Sequence, residues 1–153
     1  MLTYFKKPET NETVDLLEYC VEKIREEPNT KIFIGTDSQN RKHFTVYTTV
    51  VVFRYNLRGA HFIYQTTRVP RIRDRFSRLW KECELSVEVA EWLRENSAIR
   101  VDKIELDYNN SKQTESTALV KPTVGWIQAL GYTAVTKPDQ LIAIKAADMM
   151  ARS

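Results

Sequence analysis

The segment from Lys31 to Asp37 constrains the fold of this 153-residue chain more than any other part of it. It reads Lys-Ile-Phe-Ile-Gly-Thr-Asp, is apolar on both faces and is rich in β-forming residues. A strand with two apolar faces lies in the centre of a sheet that is covered on both sides, because each face must be removed from water. The segment therefore predicts a short buried strand that ends in an acidic side chain.

The remaining elements are predicted around this strand. Residues 43–53 and 60–69 are β-branched and aromatic, and the turn residues between them predict an antiparallel hairpin. Further strands are predicted over 101–107 and 132–136, and helices over 11–27, 74–96, about 115–130 and from 138 to the C-terminus. The order α, then β β β α β α β α, predicts one α/β domain over residues 1–153. It has a mixed five-stranded sheet with helices on both faces and an extra N-terminal helix.

Three helix ends are expected to be marked by particular residues. Thr10 or Asn11 is expected to cap the first helix, and Asp139, after Pro138, is expected to cap the last. Gly131 fits the position just after the end of the third helix, where a left-handed backbone favours glycine.

Scarce residue types exclude several classes of protein. The longest unbroken apolar runs are four residues, so no transmembrane helix is expected, and the absence of a leader pattern predicts a cytoplasmic protein. The four glycines form neither a Walker A loop nor a dinucleotide-binding motif. The two cysteines and two histidines have no zinc-site spacing, and His43 and His61 are read as structural, although His43 is a possible proton carrier. Any chemistry must therefore come from carboxylates.

Four carboxylates are predicted to lean inward. Asp37 and Asp107 each end a strand, and the carboxyl ends of parallel strands are where reactive groups collect. Helical geometry turns Glu82 toward the core side of its helix and places Asp148 in line with Leu141 and Ile144. The alternatives are that the two strand-end aspartates serve turns, and that Glu82 pairs with Arg78 four residues earlier.

Carboxylate oxygens are the ligands that hard divalent cations prefer. As a set, Asp37, Glu82, Asp107 and Asp148 favour Mg²⁺ or Mn²⁺ over zinc. A buried carboxylate without a partner is costly, so a cation or hydrogen-bond donor is expected at each.

The order of elements and the positions of these acids resemble the ribonuclease H-like superfamily. Closer still, Ile34 to Gln39, Glu82 to Ala90, Gly131-Tyr132, and 137–139 with Ala147-Asp148 resemble the YkuK-type ribonuclease H-like family. The resemblance runs from about residue 12 to the end of the chain. It implies a sheet of order 3-2-1-4-5 and a two-metal nuclease-type site, in which Asp37 bridges the metals and Glu82, Asp107 and Asp148 are further ligands.

The function expected from this site is metal-dependent hydrolysis of a phosphodiester bond in nucleic acid, whether RNA:DNA hybrid, DNA or RNA. Ser38 and Gln39 are near enough in sequence to contact substrate. Two alternatives remain open. One is a non-catalytic module on the same scaffold that binds nucleic acid or protein, and the other is a carboxylate–metal enzyme that acts on small nucleotides.

A basic segment precedes the long helix. Residues 68–81 contain six basic side chains and one acidic side chain, while the whole chain has a net charge of +3. If the helix begins early, Arg71, Arg75 and Arg78 share one face that leads to Glu82, and they are predicted to bind substrate phosphates. Trp80 is a candidate for base stacking, although an aromatic residue at this spacing is more often part of the core. The alternative is that the whole segment is a solvated surface.

Overall fold

The described part of the chain folds into four helices and one mixed sheet of seven strands. The structure is a computed structural model that describes residues 1–56, 59–109, 117–137, 139 and 141–152. The strands are β1 (Tyr4–Lys6), β2 (Thr13–Asp15), β3 (Lys31–Asn40), β4 (Phe44–Tyr55), β5 (Gly59–Pro70), β6 (Lys103–Asn109) and β7 (Thr133–Lys137). The helices are α1 (Leu16–Glu26), α2 (Arg75–Asn96), α3 (Thr117–Ala129) and α4 (Ile142–Ala151).

The sheet has the strand order β2-β1-β5-β4-β3-β6-β7. The prediction of a five-stranded sheet of order 3-2-1-4-5 therefore needs correction, since two short N-terminal strands extend the sheet beyond β5. β3, β4 and β5 form an antiparallel meander, whereas β3–β6 and β6–β7 are parallel. The sheet is mixed, as predicted.

β3 is central and buried on both faces, which confirms the interpretation of its sequence. Ile32 and Ile34 point to one face, where α1, α2 and α3 pack around a core that includes Cys20 and Cys83. Phe33 points to the other face, where Ala143 and Ala147 of α4 cover it. Among the described helices, three therefore cover one face and α4 covers the other.

Gly35 permits the close packing of α4 on the sheet. A Cβ atom at this position would lie 3.0 Å from Ala143 Cβ, 3.1 Å from Ile144 Cδ1 and 3.2 Å from the Ile144 nitrogen. Contacts this short require a backbone or side-chain shift. The glycine therefore lets the α4 backbone approach β3 just before Asp37.

Two predicted helix starts are wrong. α1 begins at Leu16, and Asp15, rather than Thr10 or Asn11, caps it by accepting the Glu18 amide at 3.0 Å. The helical spacing of Val14 suggested an earlier start, but residues 13–15 pair with β1. α4 begins at Ile142, so Asp139 is not its cap. Pro138 and residues 110–116 lie outside the described residues, and the predicted start of the third helix at about residue 115 falls there.

The end of α3 follows the prediction. Gly131 has φ of 95°, and the amides of Gly131 and Tyr132 bond to the carbonyls of Gln128 and Ile127. This pattern is the Schellman ending that a left-handed glycine allows. It sends the chain directly into β7.

Candidate active site

Asp37 lies in β3 at the point where the pairing with β6 ends. Gly35 is the last residue of β3 paired with β6, and its partner is Glu105. Two residues farther along each strand stand Asp37 and Asp107, so the two acids lie at the same level on neighbouring parallel strands. Because side chains alternate along a strand, both point to the face that α4 covers. The prediction that Asp37 and Asp107 end their strands is wrong, since β3 continues to Asn40 and β6 to Asn109. The two acids nevertheless come together, as predicted, just beyond the last paired residues of β3 and β6.

Glu82 reaches the same end of the sheet from α2, on the opposite face. It is only 3% exposed, which confirms that it turns inward. The Ser38 hydroxyl donates a hydrogen bond to one of its carboxylate oxygens and accepts one from Arg78 Nη1 at 2.9 Å. Burial raises the pKa of Glu82 well above its usual value, while the Ser38 hydrogen bond and the Arg78 charge oppose this shift.

Two polar atoms of this pair are buried without a hydrogen-bond partner. They are Oε1 of Glu82 and Nε of Arg78. An orphaned buried carboxylate oxygen is costly, so Glu82 retains the capacity to bind a cation or donor. The alternative, a direct ion pair between Glu82 and Arg78, is wrong, since the Ser38 hydroxyl bridges the two side chains by hydrogen bonds.

The other two acids form ion pairs. Asp107 Oδ1 lies 2.7 Å from Nζ of Lys137, and Asp148 Oδ1 lies 3.1 Å from Nε of Arg152. Asp148 also accepts a longer hydrogen bond, 3.4 Å, from the Gln39 amide. Both acids line the cleft with side chains that are only partly buried.

The four predicted carboxylates line a single cleft of about 390 Å³ at the carboxyl end of β3 and β6. The cleft is also lined by Ser38, Gln39, Arg75, Arg78, Leu79 and Lys137. The pKa of Asp37 is raised to about 6, mainly by burial and then by the negative charge of Asp107, with a smaller effect of Asp148. A carboxyl group whose pKa is raised by burial and by neighbouring acids in a cleft is typical of a functional site.

The metal assignment is a separate question from this convergence. Within the described ranges, no three His, Cys, Asp or Glu side chains are arranged closely enough to hold a metal ion as they stand. The assignment of all four acids as metal ligands stays a prediction. The donor set itself is made of oxygen atoms, which suits Mg²⁺ or Mn²⁺.

The basic segment is only partly as predicted. Asp74 caps α2, so the helix begins at Arg75 and Arg71 is not on its face. Arg71 instead donates a hydrogen bond of 2.6 Å to the carbonyl of Arg41. Arg75 and Arg78 do line the cleft, whereas Trp80 stacks on Trp126 at 5.9 Å between ring centroids and belongs to the core.

The histidines are outside the cleft. The ring of His61 is hydrogen-bonded to the hydroxyls of Tyr19 and Tyr55, at 2.8 and 2.7 Å, and stacks on Phe53. His43 is an exposed residue before β4, and its carbonyl accepts the Arg71 amide. The structural interpretation of His61 fits these contacts.

Sequence reasoning missed two residues at or near the site. Lys137 ends β7 and lies against Asp107. In the sequence it belongs to the segment 137–139 that resembles the family, but nothing there assigns it to the site. Glu105 is 3% exposed, and its Oε1 accepts the amides of Ala143 at 2.7 Å and Ile144 at 3.1 Å. Because α4 carries Asp148, Glu105 fixes the helix that brings the fourth acid to the cleft.

Comparison with protein families agrees with this arrangement. The family model described as Ribonuclease H-like matches residues 13–152. The chain belongs to the ribonuclease H-like family. This confirms the resemblance that the sequence segments gave. Neither curated proteins nor solved structures give a match. No helix among the described residues is long and apolar enough to cross a membrane.

Proposed function

We propose that this ribonuclease H-like protein is a metal-dependent nuclease that hydrolyses phosphodiester bonds of nucleic acid. The observation that carries the proposal is the convergence of Asp37, Glu82, Asp107 and Asp148, from two strands and two helices, on one cleft. The cleft is a costly place for a carboxylate, because burial and then the negative charge of Asp107 raise the pKa of Asp37. A site that binds cations gives a reason for that cost.

The residues present suit a divalent cation. Glu82 has a buried carboxylate oxygen without a partner, and the four acids offer oxygen ligands only. In the proposed enzyme, these four acids hold two Mg²⁺ or Mn²⁺ ions. The chemistry such ions supply is activation of the attacking water and stabilisation of the leaving 3′-oxygen.

The other side chains of the cleft have separate roles in this proposal. Arg75 and Arg78 stand at its α2 side, where planar guanidinium groups suit phosphate oxygens. Ser38 holds the Glu82 carboxylate, and Gln39 contacts Asp148, so both orient acids before any contact with substrate.

A panel of labelled substrates tests the proposal. RNA:DNA hybrid, DNA duplex, single strands, a junction and mononucleotides are incubated with the full chain and Mn²⁺. We expect cleavage of at least one polynucleotide, at least a hundredfold loss in Asp37→Asn, and retention in Glu84→Gln, which changes an exposed acid on α2. Equal cleavage by Asp37→Asn contradicts the proposal, and cleavage of mononucleotides alone favours a small-nucleotide enzyme.

One observation favours a second candidate function. Asp107 and Asp148 are already neutralised by Lys137 and Arg152, as in a scaffold that has no need of cations. The second candidate is therefore a non-catalytic module that binds nucleic acid or protein. Calorimetry with Mn²⁺ distinguishes the two, because a module of this kind shows no binding at millimolar concentration.

A further inference from the structure

Lys137 is placed by the sheet itself at the mouth of the acidic cleft. It is the last residue of β7 and pairs with Asn109, the last residue of β6, beyond an irregularity in the β6–β7 register. Its ammonium nitrogen lies 2.7 Å from Asp107 Oδ1, which is an ion-pair distance, although this buried oxygen accepts no hydrogen bond. Lys137 lines both the cleft that contains Glu82 and the adjoining one, where Lys145 and Arg152 lie with three of the same acids, Asp37, Asp107 and Asp148.

The two partners of this ion pair differ in freedom. The Lys137 side chain is 51% exposed, whereas the Asp107 side chain is 28% exposed and lies inside the cleft. A lysine has a flexible four-carbon stem and a compact, strongly hydrated charge. The ammonium can therefore leave Asp107 for solvent without a change in the backbone, while the carboxylate stays beside Asp37.

We propose that Lys137 is the resident counter-ion of Asp107, which a divalent cation must displace in order to bind. This inference rests on the proposed function, because it requires a cation at the four acids. The ammonium and the cation compete for the same carboxylate oxygen, so Lys137 weakens cation binding. The competition sets the cation concentration at which the site fills.

Lys145 provides a matched control. It lines the adjoining cleft from α4, is exposed, and forms no ion pair with any described acid. Lys145 shares that cleft with Asp37, Asp107 and Asp148 but contacts none of their oxygens, so its charge has a small effect, since water and salt screen it. A lysine in direct contact with a ligand oxygen has a larger one.

The first experiment is calorimetric titration of the full chain with Mn²⁺. We expect Lys137→Met to bind Mn²⁺ about tenfold more tightly than the unmodified chain, since a direct competitor and its repulsion are removed. Lys137→Arg keeps the charge, so we expect an affinity within about threefold of the unmodified chain, and Lys145→Met within about twofold. Binding by Lys137→Met alone, at concentrations below the millimolar range where the unmodified chain shows none, equally supports the proposal.

A second experiment needs no substitution. The unmodified chain is acetylated with and without Mn²⁺, and the rate at each lysine is read by peptide mass spectrometry. We expect Mn²⁺ to raise the rate at Lys137 several-fold relative to Lys145, because the ammonium is released from its ion pair.

The outcomes that overturn the proposal differ from those that overturn the proposed function. If Lys137→Met and the unmodified chain bind Mn²⁺ equally, or if Lys145→Met gains as much affinity as Lys137→Met, the exchange of Lys137 for a cation at Asp107 is wrong while the metal site stands. If none of the four proteins binds Mn²⁺, the metal site is wrong and the exchange falls with it. An unchanged rate of acetylation at Lys137 in saturating Mn²⁺ also overturns the exchange.

Discussion

Glu105 Oε1 accepts the backbone amide of Ala143 at 2.7 Å, although the two residues are 38 positions apart in the chain. The same oxygen accepts the amide of Ile144. Leu141, at the start of α4, has no side-chain cap, so a strand residue satisfies the amides that a local cap usually serves. The carboxylate also meets the positive end of the helix dipole.

Loss of this carboxylate is expected to loosen α4. In Glu105→Ala, two buried amides lose their acceptor, and we expect the free energy of unfolding to fall by about 2–3 kcal/mol. Glu105→Gln keeps an oxygen acceptor, so we expect a loss of about 1 kcal/mol. Urea denaturation measures both. Glu84→Ala, at an exposed position of α2, is the control, and an equal loss there contradicts the capping role.

The close approach of α4 to β3 gives a second prediction. Gly35→Ala places a Cβ 3.0–3.2 Å from atoms of Ala143 and Ile144, and we expect it to destabilise the fold by about 1–3 kcal/mol. Gly125→Ala is the matched control, since nothing lies within 4 Å of a Cβ there. In the middle of α3, that change is expected to stabilise by about 1 kcal/mol. Thermal or urea unfolding shows the opposite signs, and equal signs contradict the packing argument.

These contacts show why part of the fold could not be predicted from the sequence. The strands β3 to β7 and the helix α2 have long patterns of their own, and each was predicted within three residues of its observed ends. β1 and β2 are three residues each, and pairing with β5 and with each other defines them rather than any local pattern. Likewise, Asp139 was expected to cap α4 because it follows Pro138, whereas the acceptor of the Ala143 and Ile144 amides is Glu105 on β6, which no local pattern reveals.

Some residues of the candidate site could likewise be predicted from local sequence patterns, whereas others could not. Glu82 and Asp148 followed from helical geometry, and Asp37 and Asp107 from their places on two strands. Lys137 carries no local signal, because only the register of β7 against β6 brings it to Asp107. Arg71 was misplaced because the cap at Asp74 decides where α2 begins.

The raised pKa of Asp37 predicts how stability depends on pH in the cation-free protein. Folding raises the pKa from 3.8 to about 6, chiefly through burial and through the charge of Asp107. The folded state thus prefers neutral Asp37, so this contribution to stability is complete below pH 3.8 and is lost as pH rises through about 6.

Asp37→Asn tests this relation, because asparagine has the size of the neutral acid and no charge. Above pH 6, in the presence of a chelator, we expect the free energy of unfolding of Asp37→Asn to be up to about 3 kcal/mol higher than that of the unmodified chain. Near pH 4 we expect the two free energies to be equal. Urea denaturation at several pH values measures the difference. A difference that stays constant between pH 4 and pH 7 contradicts the assignment, and Glu84→Gln is the control for removal of an exposed acid.

The last prediction separates two arginines of the basic segment. Arg75 begins α2 and lines the cleft with Asp37 and Glu82, whereas Arg71 precedes the helix and is bonded to the Arg41 carbonyl. If nucleic acid follows the cleft, Arg75→Ala loses a phosphate contact. We expect weaker binding of a fluorescent oligonucleotide and a salt dependence lowered by about one unit of slope. For Arg71→Ala we expect the slope of the unmodified chain. Anisotropy titrations from about 50 to 200 mM salt measure both slopes. If the slope is lowered in Arg71→Ala and unchanged in Arg75→Ala, the nucleic acid lies on the β3–β4 turn instead of in the cleft.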